Sequence, residues 1–203
     1  SYLSNTHQKP LYAGYRIFVA EVASTCNEAL LMQYLLKNTT DSKERAVLIN
    51  HFLEQFKGTL YRQTMFAEFE LEINERAAKG ESLTASALCD IYRKLNEDYF
   101  GPDMEIDDNI ALEWARIPHF YYDYYVYQYA TGFSAAIALS DKILNEGEPA
   151  VRRYLNFLCS GCTKDPVSLL RDAGVDMSGP EPVETALKLF NSLMDEMEEL
   201  LLK

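Results

Sequence analysis

Apolar residues recur at helical intervals along almost the whole chain, and this periodicity restricts the fold more than any other feature. In the segment 15–37, for example, Ile17 and Ala20 are three residues apart, and Leu31 and Leu35 are four residues apart, which is the spacing of a helix face. No segment shows the strict two-residue alternation of a half-buried strand. The sequence also contains no linker, internal repeat or low-complexity tract. It therefore predicts an all-α fold in which residues 1–203 form a single helical domain.

Capping and turn residues divide this pattern into separate helices. Asp41 followed by Glu44 has the form of a capping box, and it opens a long helix that continues toward Ile73. Gly58 would bend that helix, because glycine weakens a helix interior. Thr84 predicts the N-cap of a further helix, which ends near residue 99. Later helices are predicted at 119–144, 151–158, 166–172 and 180–202.

Charge and cysteine content restrict the possible partners. The formal net charge is −12, from 19 basic and 31 acidic residues, which disfavours a nucleic acid or an anionic membrane as partner. The 4 cysteines are scattered, as is typical of a reducing compartment, so we expect a cytoplasmic protein. Cys159 and Cys162 have C-x-x-C spacing, but they lack the second pair of a zinc ribbon and the βαβ context of a redox site. The sequence does not indicate the oligomeric state.

One segment, 119–133, contains six of the 14 tyrosines and one of the 3 histidines. On a helix, Tyr122, Tyr125 and Tyr129 would share one face. A buried phenol needs a hydrogen-bond partner, so a row of phenols gains little over leucine in a core. The segment predicts an aromatic core helix whose hydroxyls reach the edges, a polar-walled binding groove, or a set of donors that face charge developing on a substrate.

A glutamate in the first long helix has unusually apolar neighbours. Glu21 lies in the run F-V-A-E-V-A, and Ser24 and Glu28 share its helix face. A carboxylate in such surroundings is unfavourable unless it is paired, protonated or bound to a metal. A partly exposed glutamate, or one that pairs with Arg16 or with a distant basic residue, would also explain the pattern. The histidines provide no H-x-x-x-H pair that would complete a metal site with Glu21.

Four motifs carry a resemblance to a known family. They are S-Y-L-S at 1–4, F-V-A-E-V-A-S-T-C-N-E at 18–28, I-P-H-F-Y-Y-D-Y-Y-V-Y-Q-Y-A-T-G at 117–132 and G-V-D-M at 174–177. With these motifs, the chain resembles the C-terminal part of the oligoendopeptidase F group, within the thimet-oligopeptidase-type family of zinc metallopeptidases. The resemblance extends over essentially the whole chain.

The resemblance implies a function and a metal. In this family an H-E-x-x-H helix supplies two histidine ligands and the general base, and a glutamate on a second helix is the third zinc ligand. Glu21 matches that glutamate. The implied activity is a zinc metalloendopeptidase that hydrolyses short peptides, and the implied fold is a multi-helix lobe of its catalytic domain. Because the H-E-x-x-H helix lies just before the S-x-L-S motif, we expect a chain that lacks those histidines and is inactive alone.

The resemblance also implies roles for individual side chains. The residues expected to bind substrate and stabilise the tetrahedral intermediate are, in order, Tyr122, Tyr125, His119, Tyr129 and Tyr127. Apart from the resemblance, the polar neighbours Ser24 and Asn27 on the Glu21 helix either orient Glu21 through hydrogen bonds or serve only in helix packing. Glu28 either orients Glu21 in the same way or is simply solvated.

A second hypothesis belongs to a different class of protein. The chain would then be a helical interaction or scaffold module, with the tyrosine-rich face as a partner-binding surface. In that case Glu21 would be structural, and we would expect it to be buried against a basic residue.

Overall fold

The computed structural model describes residues Ser1–Leu202, which contain helices and irregular segments and no β-strand. The α-helices are α1 (Tyr2–His7), α2 (Ile17–Asn38), α3 (Ser42–Gln55), α4 (Arg62–Ala78), α5 (Ala85–Phe100), α6 (Tyr127–Glu146), α7 (Glu148–Cys159), α8 (Pro166–Asp172) and α9 (Glu181–Leu201). A π-helix covers Phe56–Tyr61, and 3₁₀ helices cover Ile110–Arg116 and Pro118–Tyr121. The prediction of an all-α fold is confirmed.

The described chain divides into two compact units. The first contains Ser1–Phe56 together with the residues from Thr131 onward, and the second contains Lys57–Ala130. Each unit has a hydrophobic core of its own. The organisation of the whole chain as one domain stays a prediction.

The core of the first unit is formed by α2, α6, α7 and α8. Its buried residues include Val22 and Cys26 from α2, Leu139 from α6 and Leu170 from α8. Glycine at position 132 allows α6 to approach α2 closely, since a Cβ at that position would lie 3.3 Å from Cε2 of Phe18. A larger residue would force these helices apart or displace the phenyl ring.

The core of the second unit is formed by α4, α5 and the two 3₁₀ helices. Phe69 from α4 and Tyr92 from α5 are fully buried, and their ring centroids lie 5.2 Å apart in an edge-to-face arrangement. Ile117, just before the tyrosine-rich segment, and Val126, within that segment, complete this core. Apolar burial therefore fixes the chain at both positions.

Several helix boundaries agree with the sequence patterns. Asp41 accepts hydrogen bonds from the backbone N–H groups of Lys43 and Glu44, and Thr84 accepts one from Ala87. The single helix predicted from Asp41 toward residue 73 is wrong, because the π-helix Phe56–Tyr61 separates α3 from α4. Gly58 lies inside the π-helix, where its low helix propensity weakens the regular pattern.

The polar opening of the chain contains a short helix that the sequence patterns did not predict. Ser4 of α1 is buried, and its hydroxyl donates a hydrogen bond to the backbone oxygen of Ala13. Gln8 donates from Nε2 to the backbone oxygen of Cys159 at 2.9 Å. Contacts distant in sequence therefore hold this helix. None of the described helices has both the length and the apolar character needed to cross a membrane.

Candidate functional site

The tyrosine-rich segment is not one helix, which corrects the prediction of a helix over 119–144. A 3₁₀ helix covers Pro118–Tyr121, an irregular turn follows, and α6 begins only at Tyr127. The physical reason lies in long-range packing. Phe120 packs on Phe69 with ring centroids 4.9 Å apart, and Val126 is fully buried. These two anchors impose a chain path that a continuous helix would not follow.

The turn contains two consecutive residues in the left-handed region of backbone space. Asp123 has φ 53° and Tyr124 has φ 58°. Aspartate tolerates this region comparatively well, but a bulky residue there is unusual. Each such residue costs about 1–3 kcal/mol and persists only where surrounding contacts impose the conformation. Strained backbone of this kind is concentrated at functional sites.

Four aromatic rings meet beside this turn. The ring of His119 lies near those of Tyr122, Tyr125 and Tyr129, at centroid distances of 5.9, 6.1 and 5.4 Å. The tyrosine rings also contact one another, with Tyr125 lying 6.3 Å from Tyr122 and 5.6 Å from Tyr129. We call these four residues the aromatic cluster. The three tyrosines share a surface as the spacing suggested, but the turn brings them together instead of a helix face.

Hydrogen bonding and exposure differ among the rings of the aromatic cluster. Nε2 of His119 lies 3.1 Å from the hydroxyl of Tyr129, within hydrogen-bonding distance. Tyr122 is 60% exposed, whereas His119, Tyr125 and Tyr129 are half-buried. The aromatic cluster therefore presents polar groups at a surface while its inner members are fixed by packing. Tyr127, the fifth predicted residue, begins α6 and has an exposed side chain.

A buried carboxylate that the sequence analysis missed fixes the turn. Glu70 of α4 is 1% exposed, and its Oε1 accepts a hydrogen bond from the backbone N–H of Tyr124 at 2.8 Å. Burial raises the pKa of Glu70 above its ordinary value. The hydrogen bond from the Tyr124 N–H and the charge of His119 both lower this pKa, whereas the negative charge of Asp123 raises it further. A signal was present in the sequence, because Glu70 interrupts the apolar helix face of α4 that contains Phe66 and residue 73.

A second buried carboxylate of the same unit belongs to a separate network. Glu113 accepts hydrogen bonds from the hydroxyl of Tyr92 at 2.7 Å and from Arg62 at 2.6 Å, and it also pairs with Arg116. Burial alone would raise the pKa of Glu113, but the hydrogen bonds and charges of these three partners outweigh burial and lower the pKa. This network satisfies its own charges, and we assign it to stability.

Glu21, the predicted metal ligand, lies on α2 of the first unit. Its side chain is half-buried, and it makes no hydrogen bond or ion pair with any residue in the described range. The hydroxyl of Ser24 donates to Glu28 at 3.3 Å instead of to Glu21. Asn27 is exposed. A role for these neighbours in orienting Glu21 stays a prediction.

The residues of this chain fit a partial metal site only. No three His, Cys, Asp or Glu side chains within Ser1–Leu202 are grouped closely enough to hold a metal ion. Glu21 fits the part of one carboxylate ligand, because its oxygens have no protein donor among the described residues and zinc accepts carboxylate oxygen. The C-x-x-C cysteines are free thiols, with Cys162 exposed and Cys159 half-buried.

Comparisons with known proteins agree with the resemblance found in the sequence motifs. The family model described as Peptidase family M3 matches residues 1–189. Oligopeptidase PepF of Bacillus subtilis (strain 168) is 59% identical over 203 residues, which are 100% of this chain and 30% of that protein. Chromosomal oligoendopeptidase F of Lactococcus lactis subsp. cremoris is 44% identical over 203 residues, which are 100% of this chain and 34% of that protein.

A solved structure supports the same assignment. The crystal structure of oligoendopeptidase-F from Enterococcus faecium superimposes with a TM-score of 0.89 and 49% sequence identity, covering 92% of this chain and 36% of that chain. The present chain thus spans about a third of the length of these relatives. The family prediction is confirmed by sequence and by fold, and the chain belongs to peptidase family M3.

Proposed function

We propose that this chain contributes to a zinc metalloendopeptidase that hydrolyses short peptides. The observation that supports the proposal most directly is the aromatic cluster, in which an imidazole and three phenols share a surface beside a strained turn. Membership of a peptidase family makes a peptide the expected substrate. The chain spans about a third of its relatives, so the complete catalytic apparatus is proposed for the full-length protein.

The aromatic cluster would serve the reaction by donating hydrogen bonds. Attack on a peptide carbonyl places negative charge on its oxygen, and preorganised donors that face this oxygen lower the barrier. The hydroxyls of Tyr122 and Tyr125 are our first choices for these donors. His119 would bind the same region of the substrate, and the Tyr129 hydroxyl would hold the imidazole in orientation through the contact at Nε2. Tyr127, exposed at the start of α6, would contact the peptide at the edge of the site.

Zinc would be held in part by Glu21. When bound, zinc supplies a Lewis acid for the scissile carbonyl and lowers the pKa of a water molecule. Glu21 would contribute one carboxylate oxygen, and the half-buried environment on α2 strengthens its attraction for a cation relative to an exposed glutamate. Ser24, Asn27 and Glu28 lie nearby on the same helix and would restrict the position of the carboxylate.

The proposal is tested by removing one phenolic hydroxyl at a time. In the full-length protein with its metal, Tyr122→Phe or Tyr125→Phe should lower kcat by about a hundredfold or more with a modest change in KM, because the lost interaction exists mainly in the transition state. Tyr121→Phe is the matched control, since this neighbouring tyrosine is 70% exposed and its ring is not part of the aromatic cluster. Unchanged turnover in both Tyr122→Phe and Tyr125→Phe would refute the assignment.

The scaffold hypothesis has less support. It expected Glu21 to be buried against a basic residue, and within residues 1–202 Glu21 is only half-buried and forms no ion pair. The family match favours the peptidase over a scaffold.

A further inference from the structure

Glu70 is a buried carboxyl group, and within residues 1–202 it forms no ion pair with a basic side chain that would offset the unfavourable free energy of its burial. Its side chain is 1% exposed on α4, between residues that pack in the core of the second unit. A buried carboxylate persists when its oxygens accept strong hydrogen bonds. The donor here is the backbone N–H of Tyr124, which is 54 residues away in sequence. This hydrogen bond therefore connects α4 to the turn over a long sequence distance.

The hydrogen bond from Tyr124 to Glu70 lies at a point where the backbone conformation is unusual. The N–H group it fixes belongs to the second of two consecutive left-handed residues, Asp123 and Tyr124. Neither residue is a glycine, so the turn relaxes toward other conformations unless contacts impose it. The turn separates Tyr122 from Tyr125, and both contribute rings to the aromatic cluster. A change in this turn would move these two rings relative to His119.

Apolar contacts alone do not fix the same geometry. Phe120 and Val126 anchor the chain on either side of the turn, through the core that also contains Phe69. They leave five residues between them, and the Glu70 hydrogen bond reaches the middle of that interval. The charge of His119 lowers the pKa of Glu70, but the larger effect of burial raises it. The direct link between Glu70 and the turn is the hydrogen bond from the Tyr124 N–H.

We propose that Glu70 is a positioning residue for peptide hydrolysis, which holds the turn at 122–125 so that the rings of the aromatic cluster keep their catalytic arrangement. This inference rests on the proposed function. Glu70 itself would not touch the substrate, because its side chain is buried. Its effect would be on the rate of the chemical step, since misplacement of catalytic donors lowers turnover more than binding.

The test uses two substitutions that fill the same space in the full-length protein with its metal. Glu70→Met keeps the length of the side chain but removes the acceptor for the Tyr124 N–H, whereas Glu70→Gln keeps an acceptor oxygen. Hydrogen exchange, followed by mass spectrometry of peptides that cover 120–126, should be faster in Glu70→Met and close to wild type in Glu70→Gln. In parallel, Glu70→Met should lower kcat by about tenfold to a hundredfold at nearly constant KM, and Glu70→Gln should restore most of it.

Glu113→Gln is the matched control for a general loss of stability. Glu113 is the other buried glutamate of the second unit, and its partners are Tyr92, Arg62 and Arg116, outside the turn. This variant should lower the melting temperature while exchange at 120–126 and kcat stay near wild type. Equal kcat losses in Glu113→Gln and Glu70→Met would overturn the positioning role, because stability alone would then explain both.

The outcomes separate this inference from the proposed function. Unchanged exchange in Glu70→Met would show that the carboxylate does not hold the turn. Faster exchange with normal kcat, while Tyr122→Phe and Tyr125→Phe lower kcat, would overturn the positioning role and leave the proposed function intact. If neither tyrosine substitution changes kcat, the proposed function fails, and the positioning role fails with it even where exchange becomes faster.

Discussion

Substitution of Gly161 by alanine should destabilise the chain more than the same substitution at Gly147 or Gly14. Gly161 has φ +55°, and a Cβ at this position would lie 1.9 Å from the backbone oxygen of Tyr12. That oxygen accepts the N–H of Cys162 at 2.9 Å, and nearby Gln8 donates to the Cys159 carbonyl. The new methyl group cannot be accommodated without separating these two segments.

The expected magnitude follows from three contributions. A left-handed alanine costs about 1 kcal/mol relative to glycine. Loss of the hydrogen bond between Cys162 and Tyr12 costs about 1 kcal/mol, and loosening of the Gln8 contact costs about as much again. The sum is about 3 kcal/mol, which in a chain of this size lowers the melting temperature by roughly 6–12 °C.

Two other glycines provide matched controls. Gly147 has φ +68° with open space around its Cβ position, so Gly147→Ala isolates the backbone strain and should lower the melting temperature by roughly 2–4 °C. Gly14 has neither a positive φ nor a close neighbour, so Gly14→Ala should have little effect. Thermal unfolding followed by circular dichroism measures all three. A shift for Gly161→Ala no larger than that for Gly147→Ala would refute the steric reasoning.

Three further predictions follow from metal binding, pKa and burial. In the full-length protein, Glu21→Gln should reduce the zinc content measured by atomic absorption, whereas Glu184→Gln, at an exposed glutamate of α9, should not. Equal zinc in both variants would contradict the ligand role. The pKa of Glu113 is lowered in the folded protein, so its contribution to stability is present above the unfolded-state pKa of about 4.3 and is lost as the pH falls through the folded-state pKa. Glu113→Gln should therefore reduce the decrease in melting temperature that acidification causes. At pH 8 iodoacetamide should modify the exposed Cys162 in the folded protein and leave Cys26 intact. The reason is that burial raises the pKa of the Cys26 thiol to about 11, although a hydrogen bond with Tyr154 lowers this pKa. Mass spectrometry detects the difference, and rapid modification of Cys26 would contradict its burial.

Features set by neighbouring residues were predictable from the sequence. Thr84 and Asp41 cap helices because a short polar side chain reaches backbone N–H groups two or three residues later. The boundaries of α2 and α8 follow equally from local apolar spacing and turn residues. Such features need no knowledge of the tertiary fold.

Features set by distant residues were not predictable from the same patterns. The helix α1 depends on Ser4, whose hydroxyl bonds the Ala13 carbonyl, and on Gln8, whose partner at residue 159 is far along the chain. The turn at 122–125 depends on Phe69 and Glu70, which lie on α4. The spacing of the tyrosines favoured a helix there, because periodicity contains no information about contacts with residues that are distant in the sequence.

Glu21 and Glu70 are glutamates of similar sequence character, and comparison of their surroundings explains why we assign them different roles. Each interrupts an apolar helix face, where a carboxylate is unfavourable without a partner. Glu70 is fully buried and has a donor in the Tyr124 N–H, so its charge is directed at the protein backbone. Glu21 is half-buried and has no donor among residues 1–202, so its oxygens are available to a cation. The zinc measurement on Glu21→Gln and the exchange measurement on Glu70→Met therefore test the same rule at two positions. The rule is that a carboxylate on an apolar helix face requires a partner, either a cation or a hydrogen-bond donor.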